Sequence, residues 1–299
     1  MREKRKPVSL KLQEIEDFLF DGMSVAIGGY LTANKPMALI REIIRKGVKN
    51  LTIISLPSGI DVDLLVAAGC VKKLICPYVG MESLSPIAPF FRQKAQRGEL
   101  EIREVDVALV ILMLRAAALN LPYLPWKGVV GTSIPELNSD LKVIQDPFGN
   151  GELIAVPALS PDLALIHAAQ SDIYGNVQHK GRSFLDGLMA RASQKTLVQV
   201  EKIIPNEQIK SNFLDTTIPS ALVNGIILAP FGAHPLSSQR YYDVDERHIR
   251  EYVELAQKYQ KAEEDGFKDY LAKYVYGPPS LEDYLEVVGT KRLLHMMKT

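Results

Sequence analysis

Residues 21 to 36 read Asp21-Gly-Met-Ser-Val-Ala-Ile-Gly28-Gly29-Tyr30-Leu-Thr32-Ala-Asn34-Lys35-Pro36, and this stretch decides the fold. An apolar strand over residues 24–27 runs directly into a Gly-Gly pair. Glycines at the carboxyl end of a parallel strand permit positive φ and close backbone approach, and open α/β sheets bind ligands at that edge. Lys35-Pro36 then opens a helix, because the N–H that proline lacks is unused in a first turn. Working outward, strand-length apolar runs alternate with helical patterns: residues 24–27, 51–55, 74–78, 153–156, 163–169, 196–200 and 225–229. Such alternation predicts a mostly parallel sheet covered by helices on both faces, an α/β architecture of three layers. Helices are expected over 35–46, ending at Gly47, and over 61–68, ending at Gly69. Residues 132–151, rich in Pro, Gly, Asn and Asp, read as a connection bulging from the sheet. Asp245 to Tyr276 has helical spacing, and a last helix is expected from Ser280 to Val288, after the Pro278-Pro279 break. The expected organisation is an α/β domain over 1–240. A helical extension over 241–299 packs on that domain or on a partner.

The chain has 299 residues, 47% of them hydrophobic, enough to bury roughly three-quarters of its unfolded surface. Thirty-five basic residues balance thirty-five acidic ones, so no global field draws in nucleic acid or an anionic membrane. The basic start at Arg2 to Lys6 is followed by acids where a signal peptide needs an apolar stretch, and no apolar run reaches the ~18 residues of a spanning helix. Cys70 and Cys76 have no second pair and no histidine at zinc spacing. These features predict a cytoplasmic protein with two reduced, buried thiols, and no metal site emerges from the spacings.

The spacing from Asp21-Gly22 through Gly28-Gly29-Tyr30 to Pro36 resembles the signature of the A (alpha) subunit of two-subunit family I CoA-transferases. Tyr30 stands where that family has Phe, and Asn34 where it has Gly; Asn best tolerates a left-handed backbone among the other residues. Tyr78-Val79-Gly80, Phe91-Arg92 and Gly98-Glu99-Leu100-Glu101 are similar to A subunits generally. Arg115 to Pro125, Ala155-Val156-Pro157, Asp162 to Ala168, Asp172 to Val177 and Ala229 to Pro235 resemble the glutaconate CoA-transferase branch, which steroid-ring-cleavage thioester hydrolases share.

The resemblance implies transfer of CoA between carboxylates by covalent catalysis on a glutamate carried by a B (beta) subunit within Glu-Asn-Gly. This chain has no Glu-Asn-Gly; its nearest string is Val223-Asn224-Gly225. It is therefore expected to be half of a heteromeric site, with coenzyme A thioester as substrate and no permanently bound cofactor. The A half would supply a wall of backbone amides from Gly28, Gly29, Tyr30 and the turn at Pro57-Ser58-Gly59, because preorganised N–H donors stabilise an oxyanion. The missing side chain of Gly29 would leave room for substrate. Ser58 and Thr32 either bond a substrate carboxylate or bond their own backbone. At position 107, where related A subunits often carry Gln or Glu facing substrate, this chain has Val107. Either the acyl pocket is more apolar, or Glu104 or Asp106 takes over, or the site geometry differs.

Among the histidines, His167 reads as a satisfied core residue, His234 as a turn or interface residue, and His179, His248 and His295 show no partner spacing. Asp243, Asp245 and Glu246 read as a solvated helix start, and Trp126 and the tyrosine-rich tail as packing. The competing readings are a thioester hydrolase subunit, which would release CoA without an acceptor, and a non-catalytic metabolite-binding protein of the same fold. A dinucleotide-binding dehydrogenase is disfavoured because Gly28-Gly29 lacks the third glycine of that fingerprint.

Overall fold

The structure, a computed structural model, describes residues 6–262 and 266–297. The start of the basic N-terminal stretch and part of the expected 245–276 helical run lie outside the described residues. The main sheet has ten strands, eight of them in the order Ser9–Leu10, Gly225–Leu228, Lys195–Ile203, Leu163–Ser171, Ser24–Ile27, Leu51–Ser55, Val71–Ile75, Glu101–Ile102. All neighbours in that row are parallel. Val177–Gln178 and Thr216–Ile218 complete it as a short antiparallel extension, Val177–Gln178 pairing with the last residues of Leu163–Ser171.

Each central strand is apolar on both faces because both are covered. Val25 and Ile27 point into one core, with the helices Met37–Arg45 and Ile60–Ala67, while Ala26 points into the other, with Val107–Ala118 and Asp186–Ala192. Met37–Arg45 and Ile60–Ala67 stop where the sequence indicates, with Gly47 and Gly69 at φ 71° and 67°.

The C-terminal residues form Glu246–Ala262, Gly266–Leu271, a π-helical turn at Ala272–Tyr276, Leu281–Val288 and Thr290–Met296. Their buried side chains, among them Ile249, Tyr252, Tyr270, Tyr274 and Tyr284, join the first core, so most of the tyrosine-rich tail is packing, while Tyr276 is exposed. Ser280 caps its helix with a reciprocal bond to Asp283, which is the break expected after Pro278-Pro279. The acidic helix start is not wholly solvated. Asp243 and Glu246 are exposed, but Asp245 is buried and accepts from His248 N–H at 3.0 Å and from Arg292.

One strand is misplaced by the sequence reading. Glu152–Pro157 does not join the parallel sheet; it is the middle of a separate antiparallel sheet between Tyr123–Trp126 and Lys142–Gln145. Its apolar run mimics a strand buried on both faces, whereas only Ile154 and Val156 reach the core. The polar connection at 132–151 accordingly contains the helix Ile134–Leu137 and one of these strands. The strand expected at 74–78 is also shifted, lying at Val71–Ile75.

Candidate functional site

Strands after Ser24–Ile27 step along the sheet in one direction, while those after Leu163–Ser171 step in the other. The order therefore reverses between these two neighbours, and a crevice opens beyond their carboxyl ends. The Gly28-Gly29 turn stands at that point. Gly28 N–H extends the ladder to Leu165 O at 2.9 Å, and Gly29, at φ 73°, donates to Asp186 Oδ1 at 2.8 Å. Tyr30 and Ala33 exchange both backbone bonds at 2.9 Å, and Leu31 N–H donates to Pro57 O at 2.8 Å. Asn34 sits at φ 55°, the left-handed conformation that its replacement of glycine requires. Its side chain donates to Arg182 O and accepts from Gln239 N–H, tying loops from distant strands together. The Tyr30 ring stacks on Phe184, with centroids 5.6 Å apart.

These bonds correct the expected role of the amide wall. The N–H groups of Gly28, Gly29 and Tyr30 all have acceptors within the chain, and so do those of Ser58 (Tyr78 O, 2.9 Å) and Gly59 (Asp61 Oδ1, 2.7 Å). None of the five points a free donor at an acyl group. The space at the glycines is also occupied. A Cβ on Gly28 would lie 2.8 Å from Asp186 Oδ1, one on Gly29 2.4 Å from Asn34 O, and one on Gly59 2.7 Å from Gly80 O. Ser58 is fully buried, its hydroxyl 2.8 Å from Lys35 Nζ and 2.9 Å from Leu56 O, so it takes its backbone-bonding alternative.

Thr32 and Gly59 do line a cleft of about 190 Å³, together with Leu31, Met81, Leu236 and Ile249. Glu104 and Val107 lie on the same carboxyl-terminal edge but follow the outermost strand, three strand spacings or roughly 14 Å from Ser24–Ile27. Glu104 is exposed, and its carbonyl accepts from Asn138 at 2.8 Å. Val107 is 36% exposed and begins a helix capped by Asp106, whose carboxylate accepts from Leu109 N–H at 2.7 Å. Asp106 is therefore a cap. The Val107–Ala118 helix packs on Asp186–Ala192, the element that touches Gly28 and Gly29.

Two polar clusters that support the crevice carry little sequence signal. Lys35 is fully buried, its ammonium 3.0 Å from Asp61 Oδ2 and within 3.2 Å of the Ser55 and Ser58 hydroxyls. Asp61 in turn holds Gly59 N–H, so this ion pair fixes the Pro57–Gly59 turn from beneath. A lysine placed directly before an apolar, proline-headed helix was the available hint. On the other side, Asp186 Oδ2 meets His179 Nε2 at 3.0 Å, and His179 Nδ1 meets Thr217 Oγ1 at 2.7 Å. His179 thus has partners that its sequence neighbourhood does not reveal.

His167 is the satisfied core histidine expected, with Gln199 on Nδ1 at 2.8 Å and Ser238 and Glu201 on Nε2. His234 does lie in a turn and is fully buried there, bonded to Tyr284 and Asp245. Both cysteines are buried and free, and burial pushes the Cys76 thiol up to about 12, which leaves it a poor nucleophile.

A parallel α/β sheet with a crevice at a strand-order reversal, walled by a Gly-Gly-aromatic turn, is the arrangement in which open α/β proteins generally bind small molecules. The profile of the coenzyme A transferase family matches residues 12–229, and the chain belongs to that family. It is 31% identical to the A (alpha) subunit of glutaconate CoA-transferase from Acidaminococcus fermentans, over 97% of this chain and 94% of that one. The crystal structure of that organism's glutaconate CoA-transferase superposes with a TM-score of 0.92, covering 98% of this chain and 96% of the other at 29% identity. The chain is also 33% identical to the cholesterol ring-cleaving hydrolase IpdA subunit of Rhodococcus jostii over 96% of each. An uncharacterized protein of Archaeoglobus fulgidus is 37% identical over 96% of this chain, which spans 63% of that protein's length. Among the described residues no helix is long and apolar enough to cross a membrane.

Proposed function

We propose that the chain is the A (alpha) component of a heteromeric CoA-transferase of glutaconate type, moving CoA from an acyl-CoA to a free carboxylate. A B subunit supplies the nucleophilic glutamate. The observation that carries this reading is the state of the carboxylates at the crevice. Asp186 and Asp61, the two beside the Gly-Gly and Pro57–Gly59 turns, are fully buried and bonded to His179 and Gly29, and to Lys35 and Gly59. Neither of these two is free to attack a thioester, which supports a nucleophile brought by a second chain, although Glu82 and Glu246 also line the cleft. The near full-length likeness to the alpha chain of a glutaconate CoA-transferase supports the same division of labour.

In this reading the substrate wall is the outer surface of residues 28–32 with Gly59, and the cleft lined by Thr32 and Gly59 receives part of the acyl-CoA. The internal bonds of the loop make that wall rigid rather than adhesive. In the same reading the α/β domain is residues 1–240, in keeping with a family match that ends at residue 229, and 241–299 is a helical extension whose described residues, such as Ile249 and Met296, share the first core.

The test is CoA exchange between an acyl-CoA and acetate or glutarate. The purified chain alone is expected to be inert, and the chain co-purified with a B subunit to be active; robust turnover by the chain alone would overturn the assignment. A hydrolase component is the second reading, favoured by the 33% identity to the Rhodococcus jostii protein. It is distinguished by CoA release from the complex when no acceptor is present.

A further inference from the structure

His234, Asp245 and His248 converge far from the Gly-Gly turn in sequence and play no part in the proposed transfer. They are the one group of three among the described residues whose ligand atoms lie mutually within 4.8 Å, and all three are buried. We propose that this cluster is a zinc site that ties the loop at His234 to the first turn of the Glu246–Ala262 helix. Asp245 and His248 stand three apart at that helix start, a spacing that puts both side chains on one side.

His234 Nε2 and Asp245 Oδ2 are 3.0 Å apart, close to the separation of about 3.3 Å between adjacent ligands of a tetrahedral ion held at zinc–nitrogen distance. The independent observation is His248 Nδ1. It is buried and, among the described residues, has no hydrogen-bond partner, an arrangement that a folded core avoids unless the nitrogen serves another group. The outer nitrogens are braced as metal-bound imidazoles usually are: His234 Nδ1 lies 2.6 Å from Tyr284 OH, and His248 Nε2 2.8 Å from Tyr270 OH. Two imidazoles and one carboxylate form a borderline donor set that suits zinc and leave a fourth position open.

Arg292 is the competitor. Its guanidinium pairs with Asp245 and is partly exposed, at the wall of an open cleft that Asp245, Gly289 and His295 also line. That cleft is the entry path, and a metal that enters must displace Arg292 from the carboxylate. Arg292 thus neutralises Asp245 until an ion arrives.

The experiment is titration of the chelator-treated full chain with zinc chloride by calorimetry, with cobalt(II) absorption as a geometry reading. One ion per chain is expected, with a four-coordinate cobalt spectrum. His248→Ala and Asp245→Asn should each weaken binding at least tenfold, His295→Ala should not change it, and Arg292→Ala should tighten it. No stoichiometric zinc on the folded wild type overturns the proposal, as does equal affinity in folded His248→Ala. If the ligand variants do not fold, Arg292→Ala decides, since unchanged or weaker binding there removes the competition on which the site depends. None of these readings requires the B subunit or CoA, so they stand or fall apart from the transferase assignment.

Discussion

Replacing Gly29 by alanine separates what the turn requires of the backbone from what it requires of the space beside it. At φ 73° any L-residue is strained, by about 1–2 kcal/mol. The added Cβ would also lie 2.4 and 2.5 Å from the carbonyl oxygens of Asn34 and Ala33, backbone atoms that cannot swing aside as a side-chain tip could. Overpacking of that kind adds about 1–3 kcal/mol. Gly47 is the internal control, with φ 71° and, apart from its chain neighbours, no atom of the described residues within 4 Å of its Cβ position, so Gly47→Ala carries the strain alone. The two variants should therefore differ by about 1–3 kcal/mol, and at a urea m-value of roughly 3 kcal/mol/M their midpoints should separate by about 0.3–1 M. The assay is urea unfolding of the isolated chain followed by circular dichroism. Equal midpoints for the two variants would refute the reasoning. A Gly29→Ala complex that keeps the Gly47→Ala midpoint yet has no turnover would instead return Gly29 to an open ligand wall.

Lys35→Met should destabilise the chain by about 3–5 kcal/mol by stranding the Asp61 carboxylate, while Lys35→Met with Asp61→Asn should recover most of that; equal urea midpoints for single and double variants would show the pair is uncoupled. Asp63, buried between Tyr252 OH and the Phe90 and Phe91 N–H groups, is raised by burial from 3.8 to about 6. Its contribution is therefore greatest below the unfolded value near 3.8 and is lost as pH rises through about 6, about 3 kcal/mol in all. Asp63→Asn should gain on wild type by that order between pH 4 and 7 in urea unfolding, and a constant difference between the two proteins across that window would remove Asp63 from the account. Val107→Gln, at a partly exposed first helical position, should leave stability within about 0.5 kcal/mol. In the assembled enzyme it should shift preference from butyrate towards glutarate by about two- to thirteenfold, the worth of one hydrogen bond; an unchanged ratio in competition would mean that this side chain does not face the acyl group.

The parts of this protein that its sequence reveals are those governed by local rules. A strand ending in two glycines, helices ending at Gly47 and Gly69, and a left-handed Asn34 each follow from a residue and its immediate neighbours, and the structure has them all. Glu152–Pro157 escaped because periodicity reports which faces are apolar, not which sheet a strand joins. The donors on the candidate wall escaped for a different reason. Whether an amide is free depends on acceptors contributed from far away, and Asp186 lies 157 residues beyond the Gly29 N–H that it binds. Lys35 with Asp61, His179 with Asp186 and His234 with Asp245 are pairs of the same kind, polar groups whose chemistry is set by a partner the chain reaches only after folding. What the glycine signature marks is therefore a close-packed turn at the sheet's reversal point, held from one side by Asp186 and from the other by the Lys35–Asp61 pair. A wall with its own donors already satisfied can position an acyl group by shape while leaving bond-making to a carboxylate from elsewhere, which is the role proposed above for a second chain.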